Sequence, residues 1–365
     1  MTMGVGLVET AKSSQGNFFE DFKLKQRFVH APARTLTVGD AALYKAIYGS
    51  RFALQSSEPF AKSLGYKTTP FDDLLVFHMV FGMSVGEVSL NAIANLGYAQ
   101  LRFGKPLYPG ATLRAFTEVI GLKENSDHQT GIVHVRTEGL DEMDDEVVSF
   151  VRWVMVRKRD IAAPAPGAAV PQLLDVVSPD SLVAPEKVDF AMTRTVETGS
   201  ALRWGDYETG EKIDHIDGVT IEDAEHMMAA RLYHNNARVH FNQFAEAKGR
   251  FGKRIVYGGH VISLARALSY NGLQNAFCIA AINGGRHTNP VFAGDTIHAW
   301  SEVLDKAAIP NSKGGLGDRH DCGALRLRLV ATRNLSATGF PYRDGDKYNE
   351  NVVLDLDYWA IVPKR

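Results

Sequence analysis

The stretch LRFGKPLYPGATLRAFTEVIG at residues 101–121 returns in altered form as GRHTNPVFAGDTIHAWSEVLD at residues 285–305. The two align without a gap at a spacing of 184 residues. They share Arg102/Arg286, Pro106/Pro290, Gly110/Gly294, Thr112/Thr296, Ala115/Ala299, Glu118/Glu302 and Val119/Val303. An internal repeat constrains the fold more strongly than any local prediction does. It indicates that one structural unit occurs twice.

Further matches follow in the same order along the chain. At spacings of 183 to 185 residues they pair Asp21 with Asp206, His30 with His215, Thr37 with Thr220, Asp40 with Asp223, Phe60 with Phe244, Ala61 with Ala245 and Gly65 with Gly249. The units also end alike, in VVSFVRWVMVRKR (147–159) and VVLDLDYWAIVPKR (352–365). There the spacing has grown by about 22 residues, which we place in the polar stretches 306–324 and 334–350. These matches predict a tandem duplication.

The duplication predicts two domains and a linker. The first unit is expected at residues 17–160 and the second at residues 199–365, because the segment between them opens with the Ala- and Pro-rich run IAAPAPGAAVPQ. Such a composition favours an extended connection, so residues 161–198 are predicted to be a linker. A length of 365 residues agrees with two domains of ordinary size.

Each copy shows the same order of predicted elements. Thr-x-x-Asp at Thr37 and again at Thr220 suits a helix N-cap, and a short helix is expected after each one, such as 224–233. A longer, largely apolar helix follows at 73–90 and at 259–273, and its Met and Phe residues in the first copy are expected to pack in the core. Alternating apolar and polar residues then predict antiparallel strands at 112–122, 131–140, 147–158, 296–304, 324–333 and 352–362. The fold class predicted is α+β, with an antiparallel sheet wrapped around one long central helix in each unit.

Composition excludes several classes of protein. The net charge is -2 without a basic block, which argues against a nucleic-acid partner. No apolar run reaches the ~18 residues of a membrane span, and the N-terminus has no basic start followed by an apolar stretch. The two cysteines, Cys278 and Cys322, suit neither a disulfide framework nor a zinc site. We therefore expect a cytoplasmic protein without a metal or redox cofactor and without a membrane partner.

The segment RLYHNNARVHFNQFAEAKGRFGKRIVYGGHVISLAR (231–266) holds the candidate catalytic residues. His240 can act as a general base near neutral pH, and Asn235, five residues earlier, can hold a water or a carbonyl group. Gly258 and Gly259, at the start of a helix, leave backbone N–H groups unobstructed for a developing oxyanion. This set suits chemistry at an acyl group. The structural alternatives are a surface or capping histidine and a glycine pair that serves close packing.

The segment resembles the MaoC-like hydratases, which are R-specific enoyl-CoA hydratases with a hotdog fold. Their motif is Gly-Asp-x-Asn-Pro-x-His, then Ala-Lys-x-x-Gly-Phe, then a Pro-Ile-x-His-Gly turn that opens the central helix. HNNARVH (234–240), FAEAKGRFG (244–252) and RIVYGG (254–259) fall on these parts, and NPVFAGDTI (289–297) matches the family's Pro-Val-x-x-Gly-Asp-Thr. The resemblance covers nearly the whole chain, once per copy. It implies a tandem double hotdog in which His240 is catalytic and Gly258 and Gly259 form the oxyanion hole.

The sequence departs from the family motif at Asn235, which stands where the family has Asp and so lacks a carboxylate to share proton transfer. The first copy departs further, because YGSRFALQSSEPFAKSLG (48–65) has no His and the turn before its long helix has no Gly. The first copy is therefore expected to be non-catalytic and to shape a substrate channel.

Within the family, LYHNNARVHFN is most similar to members that act on a short, branched enoyl-CoA with its own carboxylate. That substrate would give Arg238, otherwise a solvated side chain, a carboxylate to bind, with Tyr257 as a second substrate-binding residue. A carboxylate at position 235 would repel such a substrate. The function predicted is reversible hydration and dehydration of this acyl-CoA, with the CoA as part of the substrate. Another R-specific hydratase, a hotdog thioesterase and a non-catalytic acyl-CoA sensor are the alternatives, and a homodimer is expected.

Overall fold

The computed structural model describes residues 12–311 and 317–365. In the first copy the strands are β1 (Arg27–Thr35), β2 (Ala92–Phe103), β3 (Thr112–Glu124), β4 (Thr130–Leu140) and β5 (Glu146–Arg157). The helices of this copy are α1 (Val38–Tyr48), α2 (Ala53–Ser56), α3 (Glu58–Ser63), α4 (Asp73–Met83) and α5 (Val85–Val88).

A short helix, α6 (Thr195–Thr198), precedes the second copy. Its strands are β6 (Lys212–Thr220), β7 (Cys278–His287), β8 (Thr296–Pro310), β9 (Asp318–Arg333), the small hairpin of β10 (Arg343–Asp344) and β11 (Lys347–Tyr348), and β12 (Val352–Pro363). Its helices are α7 (Asp223–Leu232), α8 (Arg238–Phe241), α9 (Gln243–Glu246), α10 (Gly258–Leu268) and α11 (Tyr270–Leu273).

One ten-stranded sheet runs through both copies in the order β1-β3-β4-β5-β2-β7-β12-β9-β8-β6. From the joint between β2 and β7 outward, the order is β2, β5, β4, β3, β1 in the first copy and β7, β12, β9, β8, β6 in the second. Strands that correspond in the two copies therefore occupy corresponding places in the sheet. The two strands at the joint are antiparallel, with Tyr98 opposite Gly285 and Arg102 opposite Ala281. Both copies therefore place their five main strands around one long helix, which confirms the predicted α+β fold of two joined hotdog units.

The duplication is visible in single hydrogen bonds. His30 of β1 bonds through Nε2 to the Thr117 hydroxyl of β3 at 2.7 Å. In the second copy His215 of β6 bonds through Nε2 to the Ser301 hydroxyl of β8 at 2.8 Å. The same pair of strands is thus joined in each copy by a histidine and a hydroxyl at matching positions.

The long central helices end earlier than the sequence predicted. Helix α4 ends at Met83 and α10 at Leu268, and a short helix follows each one. A serine stands at each break: Ser84 donates its hydroxyl proton to the Phe81 carbonyl, and Ser269 does the same to Arg266. Serine hydroxyls that bond to a preceding carbonyl compete with the helical ladder, which accounts for the interruption. The predicted core packing of α4 is confirmed, because all residues from Leu74 to Met83 are buried.

One of the two predicted N-caps is wrong. Thr37 caps α1 and forms a capping box with Asp40, as predicted. Thr220 instead ends β6, and Glu222 takes the N-cap position of α7. The sheet decides this difference, because Thr220 is held opposite Thr296 in the β6–β8 ladder and cannot turn into the helix start.

Part of the segment between the copies lies against the outer face of the sheet in the second copy. Trp359 donates its indole N–H to the Val177 carbonyl at 3.1 Å, and Phe190 is fully buried beside Phe277. Tyr358, next to Trp359, lies in the cluster that surrounds the helices, so the two side chains point to opposite faces. Residues 161–198 therefore cover apolar surface as well as connecting the copies.

The two stretches predicted to hold the extra residues of the second copy differ in structure. The stretch 334–350 contains the β10–β11 hairpin. The stretch 306–324 is formed largely by the ends of β8 and β9, and residues 312–316 within it lie outside the described residues.

Candidate active site

The segment between α7 and α10 carries the polar residues singled out in the sequence and lies against the central helix of the first copy. A Cβ at Gly82 of α4 would lie 1.7 Å from the Tyr233 carbonyl oxygen and 3.2 Å from the Asn235 backbone nitrogen. Glycine at position 82 is what permits this close approach. The first copy therefore supplies the surface on which the candidate catalytic segment of the second copy rests.

His240 is held with one ring nitrogen bonded and the other without a partner. Its Nδ1 lies 3.0 Å from the Ile255 carbonyl oxygen, and because a carbonyl can only accept, Nδ1 carries the proton. Among the described residues Nε2 has no hydrogen-bond partner, so its lone pair is available. Burial lowers the pKa of His240 to about 4, although the Ile255 carbonyl opposes this shift. The imidazole is therefore neutral at pH 7 and able to accept a proton.

Asn235 stands at the start of the same turn and is buried, with 3% of its surface exposed. Its Oδ1 accepts a hydrogen bond from the Ala237 backbone N–H at 3.2 Å. Its Nδ2 has no partner among the described residues, although it is shielded from solvent. A buried amide donor without a partner costs free energy, so this group suits hydrogen bonding to a bound water or substrate oxygen.

Gly258 and Gly259 are the first residues of α10, and their N–H groups have no acceptor in the described chain. A Cβ on Gly258 would lie 2.4 Å from Nε2 of His287, and one on Gly259 would lie 2.6 Å from the ring of His78. Both glycines thus serve close packing, and they also leave two N–H donors at the positive end of a helix dipole. The packing and oxyanion explanations are compatible here.

Tyr257 joins the candidate catalytic segment (231–266) to the interior. It is buried at the N-cap of α10, and its ring centroid lies 5.4 Å from that of His240. Its hydroxyl lies 3.3 Å from Nδ1 of His78 in α4, and burial raises its pKa well above the ordinary value for tyrosine. The ring of Tyr257, more than its hydroxyl, therefore faces the space beside His240.

Arg238 is placed differently from the other predicted site residues. It begins α8, its side chain is exposed, and it forms no side-chain hydrogen bond or ion pair within the described ranges. The structure thus brings His240, Tyr257 and the Gly258–Gly259 turn together and holds Asn235 on the same segment, whereas Arg238 lies on its outer side.

His287, at the end of β7, is also a member of this cluster, although from the sequence alone it is a weaker candidate than His240. Its ring packs on Gly258, and its Nε2 lies 3.2 Å from the Tyr98 hydroxyl of β2. The pKa of His287 is lowered to about 4, mainly by burial and to a smaller extent by the nearby His240. The repeat contained a signal for it, because the matched position in the first copy is Phe103. A titratable residue in the second copy stands where the first copy has an apolar one.

The matching position in the first copy is chemically different. Helix α4 begins with two acids, and Asp72 accepts a hydrogen bond from the Leu74 N–H at 2.9 Å, which occupies the helix start. The pKa of Asp73 is raised to about 7, mainly by burial and to a smaller extent by the charge of Asp72. Oδ2 of Asp73 accepts a hydrogen bond from the Ile279 N–H. Carboxylates at this position oppose a developing oxyanion, whereas Gly258 and Gly259 leave room for one.

Two features are absent from residues 12–311 and 317–365. No helix there is both long enough and apolar enough to cross a membrane. In the same part of the chain, no three His, Cys, Asp or Glu side chains are grouped so that they could hold a metal ion.

Comparison with known proteins assigns the family. The model of the mesaconyl-CoA hydratase family matches residues 3–333. A β-methylmalyl-CoA dehydratase of Chloroflexus aurantiacus is 58% identical over 357 residues, which cover 98% of this chain and 99% of that protein. A crystal structure of a MaoC-domain protein from the same organism has a TM-score of 0.93 at 59% identity, covering 98% of this chain and 100% of that one.

A double hotdog protein from Mycobacterium tuberculosis has a TM-score of 0.75 at 26% identity, covering 95% of this chain and 99% of that one. The strand order, the paired helices and these matches agree. The chain belongs to the mesaconyl-CoA hydratase family and has the MaoC-like double hotdog fold.

Proposed function

We propose that this protein is a hydro-lyase that adds water reversibly to mesaconyl-CoA, forming β-methylmalyl-CoA. The observation that carries the proposal is the neutral His240, whose Nε2 has no partner among the described residues and whose ring contacts Tyr257 at the start of α10. The N–H groups of Gly258 and Gly259, which follow Tyr257, have no acceptor in that part of the chain either. The family match and the name of the Chloroflexus relative support this choice of substrate.

The proposed reaction needs a base, an oxyanion site and a proton donor. Nε2 of His240 takes a proton from water while the water oxygen bonds to the alkene carbon that bears the carboxylate. The double-bond electrons shift towards the thioester oxygen, where the N–H groups of Gly258 and Gly259 stabilise the enolate. The imidazolium then returns its proton to the methyl-bearing carbon, so one water is consumed. Dehydration is the same sequence reversed.

Asn235 and Tyr257 complete the proposed site. The free Nδ2 of Asn235 donates a hydrogen bond to the attacking water or the thioester, and the ring of Tyr257 forms a wall beside His240. Arg238, on the solvent side, is proposed to contact the substrate from outside. No step requires a metal or redox cofactor, since proton transfer and enolate stabilisation are supplied by the chain.

The exposed surface of residues 244–253, just after His240, suits the anionic part of CoA. Phe244 is 82% exposed with Lys248 above its ring, and Arg250 and Lys253 stack on neighbouring aromatic rings. Cations attract phosphate groups, and exposed aromatic rings can stack on a base. We propose that the CoA nucleotide binds over residues 244–253.

The first copy is proposed to be non-catalytic and to form part of the substrate channel, because acids occupy its helix start and its α4 supports the segment of Asn235. The protein is further proposed to act in the cytoplasm as a homodimer, without a membrane or nucleic-acid partner. Light scattering coupled to size exclusion tests the dimer, with a mass near twice 40.1 kDa as the expected result.

The test of function is to incubate the purified protein with mesaconyl-CoA and to follow both the enoyl-thioester absorbance and free thiol. Loss of absorbance without thiol release is expected. Thiol release would indicate a thioesterase, and no change would indicate an acyl-CoA sensor. His240→Ala should lower kcat by roughly 10²- to 10⁴-fold while the protein stays folded. Full activity in that variant would exclude His240 as the base.

A further inference from the structure

Arg152, on β5 of the first copy, is a buried cation with no acidic partner among the residues that the structure describes. Its exposed fraction is 0%, and it forms no ion pair within residues 12–311 and 317–365. Of its five N–H donors, two bond to hydroxyls: Nη2 to Ser84 at 2.8 Å and Nη1 to Ser89 at 3.2 Å. Nε is buried with no partner among the described residues.

The other buried arginines show that an acidic neighbour is the rule in this chain. Arg319 pairs with Asp321, and Arg254 pairs with Asp223. Arg266 lies near the acids at the start of α4, since its charge opposes the rise of their pKa values. Burial lowers the pKa of Arg152 to about 10, so the guanidinium still carries its charge at neutral pH. A fully buried charge without a counter-ion is costly and calls for an anion.

Neutral groups offset part of this cost. The guanidinium carbon lies 4.1 Å from the centroid of the Phe81 ring, and Ser84 places it at the C-terminal end of α4. Cation–π contacts and helix dipoles stabilise a cation by ~1–2 kcal/mol each, less than a buried ion pair requires. Arg152 is therefore partly stabilised in the absence of an anion and has donors left to bind one.

Arg152 lies one layer of aromatic rings away from the catalytic turn. It is directly opposite Tyr98 in the β2–β5 ladder, and the Tyr98 hydroxyl bonds to His287, which packs on Gly258. On the helix side the Phe81 ring lies 5.6 Å from that of Tyr257, which in turn contacts His240. Two strand spacings separate β5 from β7, roughly 10 Å, and the long arginine side chain covers part of that distance.

We infer that Arg152 binds the free carboxylate of the substrate while its thioester lies at Gly258 and Gly259. This inference rests on the proposed function and adds the residue that selects a dicarboxylic acyl group. The rings of Phe81, Tyr98 and Tyr257 are buried between the turn and Arg152, so binding in this mode requires them to change rotamer and admit the acyl group. Water adds to the carbon that bears this carboxylate, and a guanidinium there offsets negative charge close to the reacting carbon.

Two other spaces suit a carboxylate less well. A cavity of about 330 Å³ beside His234 and Asn236 is lined by the acid Glu87. The smaller cavity at the start of α4 is lined by Asp73, while its cation Lys105 is already paired with Asp141 and Asp145. In either cavity, the free carboxylate of the substrate would lie near an acidic side chain.

The test compares Arg152→Met with wild type on mesaconyl-CoA and on crotonyl-CoA, which lacks the carboxylate. A hydrogen-bonded charge pair contributes ~1.5–3 kcal/mol, so kcat/KM for mesaconyl-CoA should fall by about 10- to 150-fold. Crotonyl-CoA hydration should change by less than about threefold, and Arg152→Lys should recover part of the loss. Arg157→Met is the matched control, because Arg157 is exposed on the same strand. An equal loss on both substrates would show a structural role and overturn the inference.

If Arg152→Met does not fold, the substrate can be altered instead. Wild type should hydrate the methyl ester of the mesaconyl-CoA carboxyl group at least about 10-fold less efficiently than mesaconyl-CoA, and equal rates would overturn the inference. If wild type leaves mesaconyl-CoA unchanged, the proposed function fails separately. Calorimetry with succinyl-CoA and butyryl-CoA then decides: tighter binding of the diacid supports Arg152 as its ligand, and equal affinities refute it.

Discussion

At the scale of single residues, the departure from the family motif that bears most on the chemistry is at position 235, where Asn stands in place of Asp. An amide there keeps the Oδ1 bond to the Ala237 N–H and adds a buried donor, Nδ2, without adding charge. The resemblance predicted that a carboxylate here would repel a dicarboxylic substrate. The structure makes that repulsion stronger than in water, because Asn235 is shielded from solvent.

Asn235→Asp should therefore lower kcat/KM for mesaconyl-CoA by about 10-fold or more, through like-charge repulsion in a poorly solvated site. Hydration of crotonyl-CoA, which has no free carboxylate, provides the comparison and should fall less or rise. Steady-state kinetics on both substrates measure the difference. A gain in turnover on mesaconyl-CoA would show that the repulsion explanation is wrong.

At the scale of elements, the start of α10 combines two demands on the same glycines. The N–H groups must stay open for an oxyanion, and the backbone must accept the rings of His287 and His78 at close range. A side chain at either position affects both. From the sequence alone, close packing and oxyanion binding are alternative explanations for these glycines. The structure shows that one pair of residues can meet both demands.

Gly258→Ala should reduce kcat by roughly 10²- to 10³-fold, because the added Cβ displaces His287 or the helix start and misplaces the oxyanion donors. Circular dichroism and a urea titration should show a folded protein. Gly205→Ala is the control, since a Cβ there meets no atom within 4 Å. Unchanged kcat in Gly258→Ala would contradict the oxyanion assignment.

At the scale of the whole molecule, the candidate active site is built from both copies. The segment of Asn235 belongs to the second copy and rests on Gly82 of the first, while His287 bonds across the joint to Tyr98. The two copies have therefore diverged into different roles. The second copy retains the candidate base and the open helix start, and the first copy supplies the surface against which they are held.

Gly82→Ala should impair the reaction although the substitution lies in the copy without the candidate base. Its Cβ would overlap the Tyr233 carbonyl oxygen and push the catalytic segment away, so we expect at least a 10-fold loss of kcat/KM and ~1–3 kcal/mol of stability. Activity assays and urea unfolding measure both. Gly284→Ala, at the joint of the copies but with its nearest atom at 3.7 Å, should behave like wild type. Wild-type kinetics in Gly82→Ala would refute the shared site.

Mild acid should destabilise the whole fold. Burial lowers the pKa of His78 and His260 to about 3 and that of His215, His240 and His287 to about 4, from an ordinary value of 6.5. Between about pH 6.5 and pH 4 the unfolded chain binds more protons at these five positions, so stability is full above pH 6.5 and is lost as the pH falls. Asp73, with a pKa raised to about 7, acts in the opposite direction but is outnumbered.

The midpoint of urea unfolding should accordingly be clearly lower at pH 5 than at pH 7.5. Of the five histidines, His78 is fully buried with Nε2 unpartnered within the described chain. His78→Asn should reduce the pH dependence, because it removes one of the groups that must gain a proton on unfolding. Equal midpoints at the two pH values would contradict the histidine explanation.

The sequence by itself determined the duplication, the six alternating strands and the segment that carries His240, because these depend on patterns that neighbouring residues display. It did not reveal β2 and β7. These strands meet at the centre of the sheet, where residues 97–99 of β2 and 278–283 of β7 are buried without interruption, so the alternation of a half-exposed strand is lost. Arg152 lies between Phe150 and Val154 on the face of β5 that the alternation predicts to be buried. The sequence shows this buried charge, but only the structure shows which residues surround it.

Only the tertiary structure decided which residues surround the catalytic turn. His287 and Tyr98 reach it from strands of different copies, and Arg152 lies behind them on a third strand. Their proximity depends on the register at the joint of β2 and β7, which no local pattern specifies. The contact between Gly82 and Tyr233 likewise joins residues about 150 positions apart in the chain, and it exists because the two central helices pack together under one sheet.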